Sequence, residues 1–223
     1  RLDPFNSSVA SLVDQLSKMR ASAPQYAAMR QVFLAQEEEY RTNPANVSNA
    51  VALAQTYLDN QLQSQATQVF ASVVQHLEPQ WQAAPTSATA GAFLAAAYIQ
   101  LRQPIRAKMV MDRLVELPDV DPNTLIAAAQ TYAQLNDGAR LEATLARLVE
   151  KTPNSPEAWY DYAGVLATLK KPPEAFRALG RALELSDLRR TQDTRAKDLR
   201  TIARGDGRFR DIQGTPEWQR LVP

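Results

Sequence analysis

The sequence predicts an all-α chain: a row of stacked helical hairpins, about four full units set between a degenerate N-terminal hairpin and C-terminal capping helices. Three observations point there. Equivalent positions recur every 34 residues at Gly91, Leu125 and Trp159, with one more unit, seven residues out of phase, at Ala50. A small side chain returns where antiparallel helices must approach most closely, at Ala54, Ala95, Ala129 and Ala163. Finally, only 7 of 223 residues are glycine, and the Ala-, Leu- and Gln-rich stretches between turns lose little side-chain freedom in a helix.

Residues 7–20 and 25–41 read as two helices parted by Ala21-Ser22-Ala23-Pro24, with Val9, Leu12, Val13, Leu16 and Met19 on one stripe. In the repeat frame Arg20 would fall on the small position, so 1–45 is expected to be a degenerate or capping hairpin with one polar outer face. Four units follow at 46–79, 87–120, 121–154 and 155–187. Their first helices (A) carry Tyr57, Tyr98, Tyr132 and Leu166 three residues after the small position. Their second helices (B) carry the small-position set Ala66, Ala107, Leu141 and Ala175. Seams of Phe70, Met111, Leu145 and Leu179, then Val73, Leu114, Leu148 and Ala182, complete the expected core. Pro104 and Pro172-Pro173 stand where B helices should begin, since a first turn tolerates a missing N–H, and Asn136-Asp137-Gly138 marks the same turn. Pro79 is expected to close the first unit, with residues 80–86 forming a loop in which the Trp81 indole either tucks over the hairpin edge, the favoured reading, or stands exposed as an anchor for a partner. Residues 188–223 are expected to cap the row through a charged helix at 192–204 and a short helix after the Thr215-Pro216 N-cap, with Phe209, Ile212, Trp218 and Leu221 sealing the last hairpin.

Composition narrows the function. With 25 basic and 24 acidic residues, no net field draws the chain to nucleic acid or an anionic membrane. There is no cysteine and one histidine, His76, so neither a triad nor a zinc site with several His or Cys ligands can be assembled; no catalytic residue, metal or cofactor is expected. Successive residues of Glu37-Glu38-Glu39 point about 100° apart on a helix and read as a solvated face. No apolar run reaches the roughly 20 residues of a membrane span, so no insertion of this segment is expected. The chain opens on Arg1 with no leader pattern, which reads as a segment of a longer or processed protein.

Trp159, Tyr162, Ala163, Leu166, Ala175, Leu179 and Ala182, repeated one unit earlier in Leu125, Ala128, Ala129, Tyr132 and Pro153, closely resemble the tetratricopeptide repeat (TPR) signature. The resemblance covers about 46–187 and departs from the signature at Ala50, Gly91 and Leu141. It implies a right-handed α-α superhelix, a TPR solenoid, and a non-enzymatic scaffold that binds a protein or peptide. A fainter resemblance of the whole segment, from Leu2-Asp3-Pro4-Phe5 to Pro216-Glu217-Trp218-Gln219, is to the soluble C-terminal repeat region of large bacterial multi-spanning, glycosyltransferase-like membrane proteins. That implies an extracytoplasmic, periplasmic module tethered to a membrane protein through an upstream region.

In such a solenoid the A helices line the concave face. The expected groove residues are Val51, Gln55, Asp59, Phe93, Gln100, Ile126, Gln130, Gln134, Tyr160 and Asp161, with Gly164 leaving room for a backbone. The lining is apolar and amide-rich, with no base, so the Lys/Asn/Arg carboxylate clamp of some family members is not expected; an extended segment or helix held by glutamines is. The same glutamines also read as plain solvated helix surface. A carbohydrate-active accessory domain is the alternative, but Asp59 and Asp161 lie two to three units apart, whereas paired glycosidase carboxylates stand roughly 5–10 Å apart. Nucleic-acid binding by Arg189, Arg190, Arg195, Lys197, Arg200, Arg204, Arg208 and Arg210 is less favoured, because Asp193, Asp198, Asp206 and Asp211 interleave.

Overall fold

The structure, a computed structural model, describes residues 24–223, so the helix expected at 7–20 lies outside the described residues. Among the described residues there are eleven α-helices and no strand. They are α1 (Pro24–Thr42), α2 (Val47–Asp59), α3 (Gln63–Ala83), α4 (Ala88–Gln100), α5 (Pro104–Val115), α6 (Pro122–Gln134), α7 (Gly138–Lys151), α8 (Pro156–Thr168), α9 (Pro172–Gln192), α10 (Leu199–Gly205) and α11 (Pro216–Leu221). A 3-10 turn, Gly207–Phe209, joins the last two. The chain divides at Val110 into two compact units.

The repeat is written in the backbone as well as in the side chains. Helices α2, α4, α6 and α8 each have 13 residues and begin on Asn46, Ser87, Asp121 and Ser155, whose side chains accept N–H groups of the first turn. Two positions beyond the end of each stands a residue with positive φ: Gln61, Arg102, Asn136 and Lys170. The next N–H reaches back to the carbonyl of Tyr57, Tyr98, Tyr132 or Leu166, and that of the left-handed residue itself to Leu58, Ile99, Ala133 or Ala167. This is the paired Schellman closure, which satisfies carbonyls that a helix end would otherwise leave open.

In the first unit, Leu53, Ala54, Tyr57, Val69, Phe70, Val73, Leu94, Ala95 and Tyr98 are buried. Helix α3 differs from expectation: it runs through Pro79 to Ala83, so the extra residues lengthen a helix rather than form a loop. Seven residues turn an α-helix through about 700°, only about 20° short of two full turns, so the insertion keeps the buried face in phase with α4. The missing proline N–H costs one backbone bond, and Trp81 ends half-buried on the extension. Glu37 also departs from expectation. It is 8% exposed and accepts the Tyr57 hydroxyl, while Glu38 pairs with Arg41 on the solvent side.

The second unit buries Leu125, Ala129, Leu145, Leu148, Ala163, Leu166, Leu179 and Ala182, with Leu141 partly buried at the edge of that core. Helix α9 continues to Gln192, and the charged helix expected at 192–204 is instead α10, begun by Asp198. Phe209, Ile212 and Trp218 pack into one cluster with Tyr160, Leu179 and Leu183, and Leu221 lies against it.

One side-chain pairing translates with the repeat. Tyr57 bonds Glu37, Tyr98 bonds Glu78, and Tyr132 donates to Asp112 at 2.8 Å, each partner twenty residues upstream on the preceding helix. The fourth unit loses both members together, with Leu166 and Ala146 in their places.

Candidate functional site

The expected ligand face divides with the two units. In the first, Val51 and Phe93 are half-buried, whereas Gln55, Asp59 and Gln100 are exposed. Gln55 donates to Asp59 at 2.8 Å one turn along α2. In the second, Ile126 is 42% exposed on α6, and Gln130 and Gln134 follow at helical spacing on the same helix, open to solvent. Neither glutamine side chain makes a hydrogen bond among the described residues.

On α8 the expectation fails. Tyr160 is 5% exposed, and the space beside it is filled by the chain's own 3-10 turn. Its hydroxyl donates to Asp206 at 3.0 Å, and its ring meets Phe209 edge-on at 5.5 Å. The Arg208 guanidinium lies 5.3 Å from the ring centre and reaches Asp161 at 3.0 Å. Gly164 leaves room as expected, but for this side chain: a Cβ there would stand 2.8 Å from the guanidinium carbon. A base therefore does face α8, and Tyr160 and Gly164 are closed to an outside ligand.

Electrostatics tighten the closure. Burial would lift the Asp206 carboxyl, but the bonds from Arg208 hold it below the usual carboxylate range. Burial would lower Arg208, and Asp206 and Asp161 outweigh that and raise it. Burial, then the Asp206 charge, pushes the Tyr160 phenol up. Opening the turn would expose Phe209, which is fully buried; removing such a ring costs about 3–5 kcal/mol, against about 0.2–1 kcal/mol for the half-exposed Arg208–Asp161 pair. The aromatic contact decides, and the turn stays shut.

Sequence reasoning missed Arg208 and Asp206 because their partners lie more than forty residues away. The only local sign is Asp206 capping the turn at Arg208 N, 2.9 Å. His76 is exposed near Gln80, and no group of three or more His, Cys, Asp or Glu residues converges as a metal site among the described residues. No described helix is long and apolar enough to cross a membrane.

Residues 122–165 match the family model of the tetratricopeptide repeat. Among solved structures, that of MamA protein resembles the chain with a TM-score of 0.52 at 17% identity, over 86% of this chain and 98% of MamA. A thermophilic TPR protein of Thermus thermophilus, TTC0263, does so at 0.51 and 20%, over 81% of this chain and 91% of its own. These likenesses establish the fold. A search of curated protein sequences gave no match.

Proposed function

From the match of residues 122–165 to the tetratricopeptide repeat and the fold shared with TPR proteins, we propose that the chain is a non-enzymatic scaffold holding an extended segment or helix of a partner protein along its A helices. The TPR fold belongs generally to protein-interaction scaffolds. The observation that carries the finer reading is the docking of residues 206–209 on α8: a polypeptide turn already lies on the outward face of one A helix, while on the corresponding face of α6 Ile126, Gln130 and Gln134 are exposed. The glutamines can donate to and accept from a backbone, and Ile126 supplies apolar contact. In the first unit Val51, Gln55, Asp59, Phe93 and Gln100 take the same role. Tyr160 and Asp161 become the closed end of the face rather than part of its open lining. Extracytoplasmic attachment to a membrane protein belongs to the proposal on the strength of the sequence resemblance alone.

A photo-crosslinking residue placed at Gln130, with the same residue at exposed Arg177 as control, tests this in extracts of the source cells. A protein adduct at 130 that is absent at 177 supports it. No adduct, or the same adducts from both positions, would reject the A-helix face as the binding surface.

A further inference from the structure

In two of the tyrosine–acid pairs a cation completes the arrangement. Arg140 lies 2.7 Å from Asp112, the acceptor of Tyr132, and Arg106 lies 3.6 Å from Glu78, the acceptor of Tyr98. Each arginine stands one residue before the small position of its B helix. At the equivalent place in α3 the chain has Gln65, so the pairing of Tyr57 with Glu37 is built without the arginine.

That pairing is also the most enclosed. The Glu78 and Asp112 side chains are 31% and 29% exposed, whereas Glu37 is buried. The Tyr57 hydroxyl donates to its Oε1, and its Oε2, shut off from solvent, has no partner. From α1 itself, Phe33 one turn earlier meets the Tyr57 ring edge-on at 5.5 Å, and Tyr40 is buried one turn later. Glu38 and Arg41 pair with each other on the solvent side. From α2, Tyr57 is joined by Thr56, which donates to Gln36 at 3.0 Å. Glu37 and Tyr40 are the charges acting on the Tyr57 phenol, whereas Arg106 acts on Tyr98 and Arg140 on Tyr132. Among the described residues no cation offsets the Glu37 charge. Burial withdraws water from the carboxylate, and one hydroxyl replaces part of it. The burial effect outweighs the Tyr57 bond and lifts the Glu37 carboxyl above its ordinary range.

We propose that Glu37 makes the contact between α1 and α2 a proton-sensitive latch, closed while the carboxyl is protonated and loosened when it ionises. The neutral acid accepts from Tyr57 and leaves its aromatic neighbours dry. The anion draws water to Oε2, and water reaches that atom by parting α1 from α2. Once parted, the solvated carboxyl titrates at the ordinary value, about 4.3. The latch is therefore at full strength below that value, weakens as pH rises through the higher value of the closed state, and is constant above it. Tyr57 takes no part in this range, because burial and Glu37 push its phenol up.

Hydrogen exchange of the full chain from about pH 4 to about 8 tests this, with each amide's protection taken relative to its intrinsic rate. Protection at residues 33–40 should fall as pH rises, by no more than about tenfold per pH unit because one proton is involved, and then level. Amides of α7 should hold steady. The inflection should coincide with the titration of the Glu37 carboxyl followed by carbon NMR. Glu37→Gln should abolish the fall, and Gln65→Arg, which restores the cation of the sister pairs, should flatten it. A level profile in the native chain, a fall that survives Glu37→Gln, an equal fall in α7, or a Glu37 carboxyl that titrates at or below its ordinary value would overturn the proposal.

Discussion

The Tyr132 hydroxyl donates to Asp112 at 2.8 Å, and Asp112 keeps a second partner in Arg140. The equivalent acceptor for Tyr57, Glu37, is buried with its other oxygen unpartnered. Removing the hydroxyl should therefore cost less in the pairing that Arg140 supports. Tyr132→Phe is expected to lose about 1 kcal/mol, and Tyr57→Phe about 2–3 kcal/mol, because it strands a buried carboxylate. Urea denaturation monitored by circular dichroism measures both. Equal losses, or the reverse order, would refute the assignment of Arg140 as the compensating partner.

Gly164 and Arg208 should be coupled. In a helix, Gly→Ala gains about 1 kcal/mol of propensity, but here the new methyl displaces the guanidinium. The displaced group is the end of a flexible side chain, so α8 need not move. Arg208→Ala is expected to cost about 1–2 kcal/mol, from the ring contact and the exposed pair. Gly164→Ala should be near neutral in the native chain and stabilising by about 1 kcal/mol once Arg208 is alanine. Additive effects in the double-mutant cycle would mean that the two positions do not meet.

Two carboxyls should respond to pH with opposite signs. Asp206 has its folded pKa lowered, so its contribution is present above the unfolded value, about 3.9, and is lost as pH falls through the folded one. Burial raises Glu37 against the bond from Tyr57, so its charge opposes folding and stability falls as pH rises through the carboxylate range. Asp206→Asn should destabilise at neutral pH and Glu37→Gln should stabilise; both differences should shrink as the solution is acidified. At high pH, burial and Glu78 push Tyr98 up to about 12, so stability should drain as pH climbs from about 10 to 12. Denaturant midpoints across pH, with tyrosinate absorbance at the alkaline end, would expose a wrong sign at any of these residues.

The repeat was legible because it is set by local chemistry. Ala54, Ala95, Ala129 and Ala163, and the proline and Asn-Asp-Gly turns, declare their roles within a few residues, and all four alanines are buried. Pro79 misled because a proline reads as a stop, while nothing nearby in sequence reveals that seven added residues preserve helical phase. The Tyr–acid pairing was not read from the sequence, where Glu37 passed for a solvated face, because a carboxylate twenty residues before Tyr57, Tyr98 or Tyr132 gains meaning only through the hairpin geometry. Closure of α8 was not visible, since Arg208 finds Tyr160 and Asp161 through the fold alone. Its neighbours in sequence read as a basic, solvated cap.

The left-handed residues at the A–B turns offer a last check on the repeat itself. Lys170 has φ of 59° and Asn136 has φ of 54° in equivalent turns, and neither is glycine. A lysine pays roughly 1–2 kcal/mol for that conformation, while asparagine tolerates it better. The offsetting cost is glycine's greater freedom in the unfolded chain, up to about 1 kcal/mol. Lys170→Gly should therefore gain up to about 1 kcal/mol, Asn136→Gly should change little, and Lys170→Ala should gain nothing, because alanine keeps the strained Cβ. The ranking is read from thermal or urea midpoints. Stabilisation by Lys170→Ala equal to that by Lys170→Gly would mean that the turn is not left-handed, and the paired closure onto Leu166 and Ala167 would fall with it.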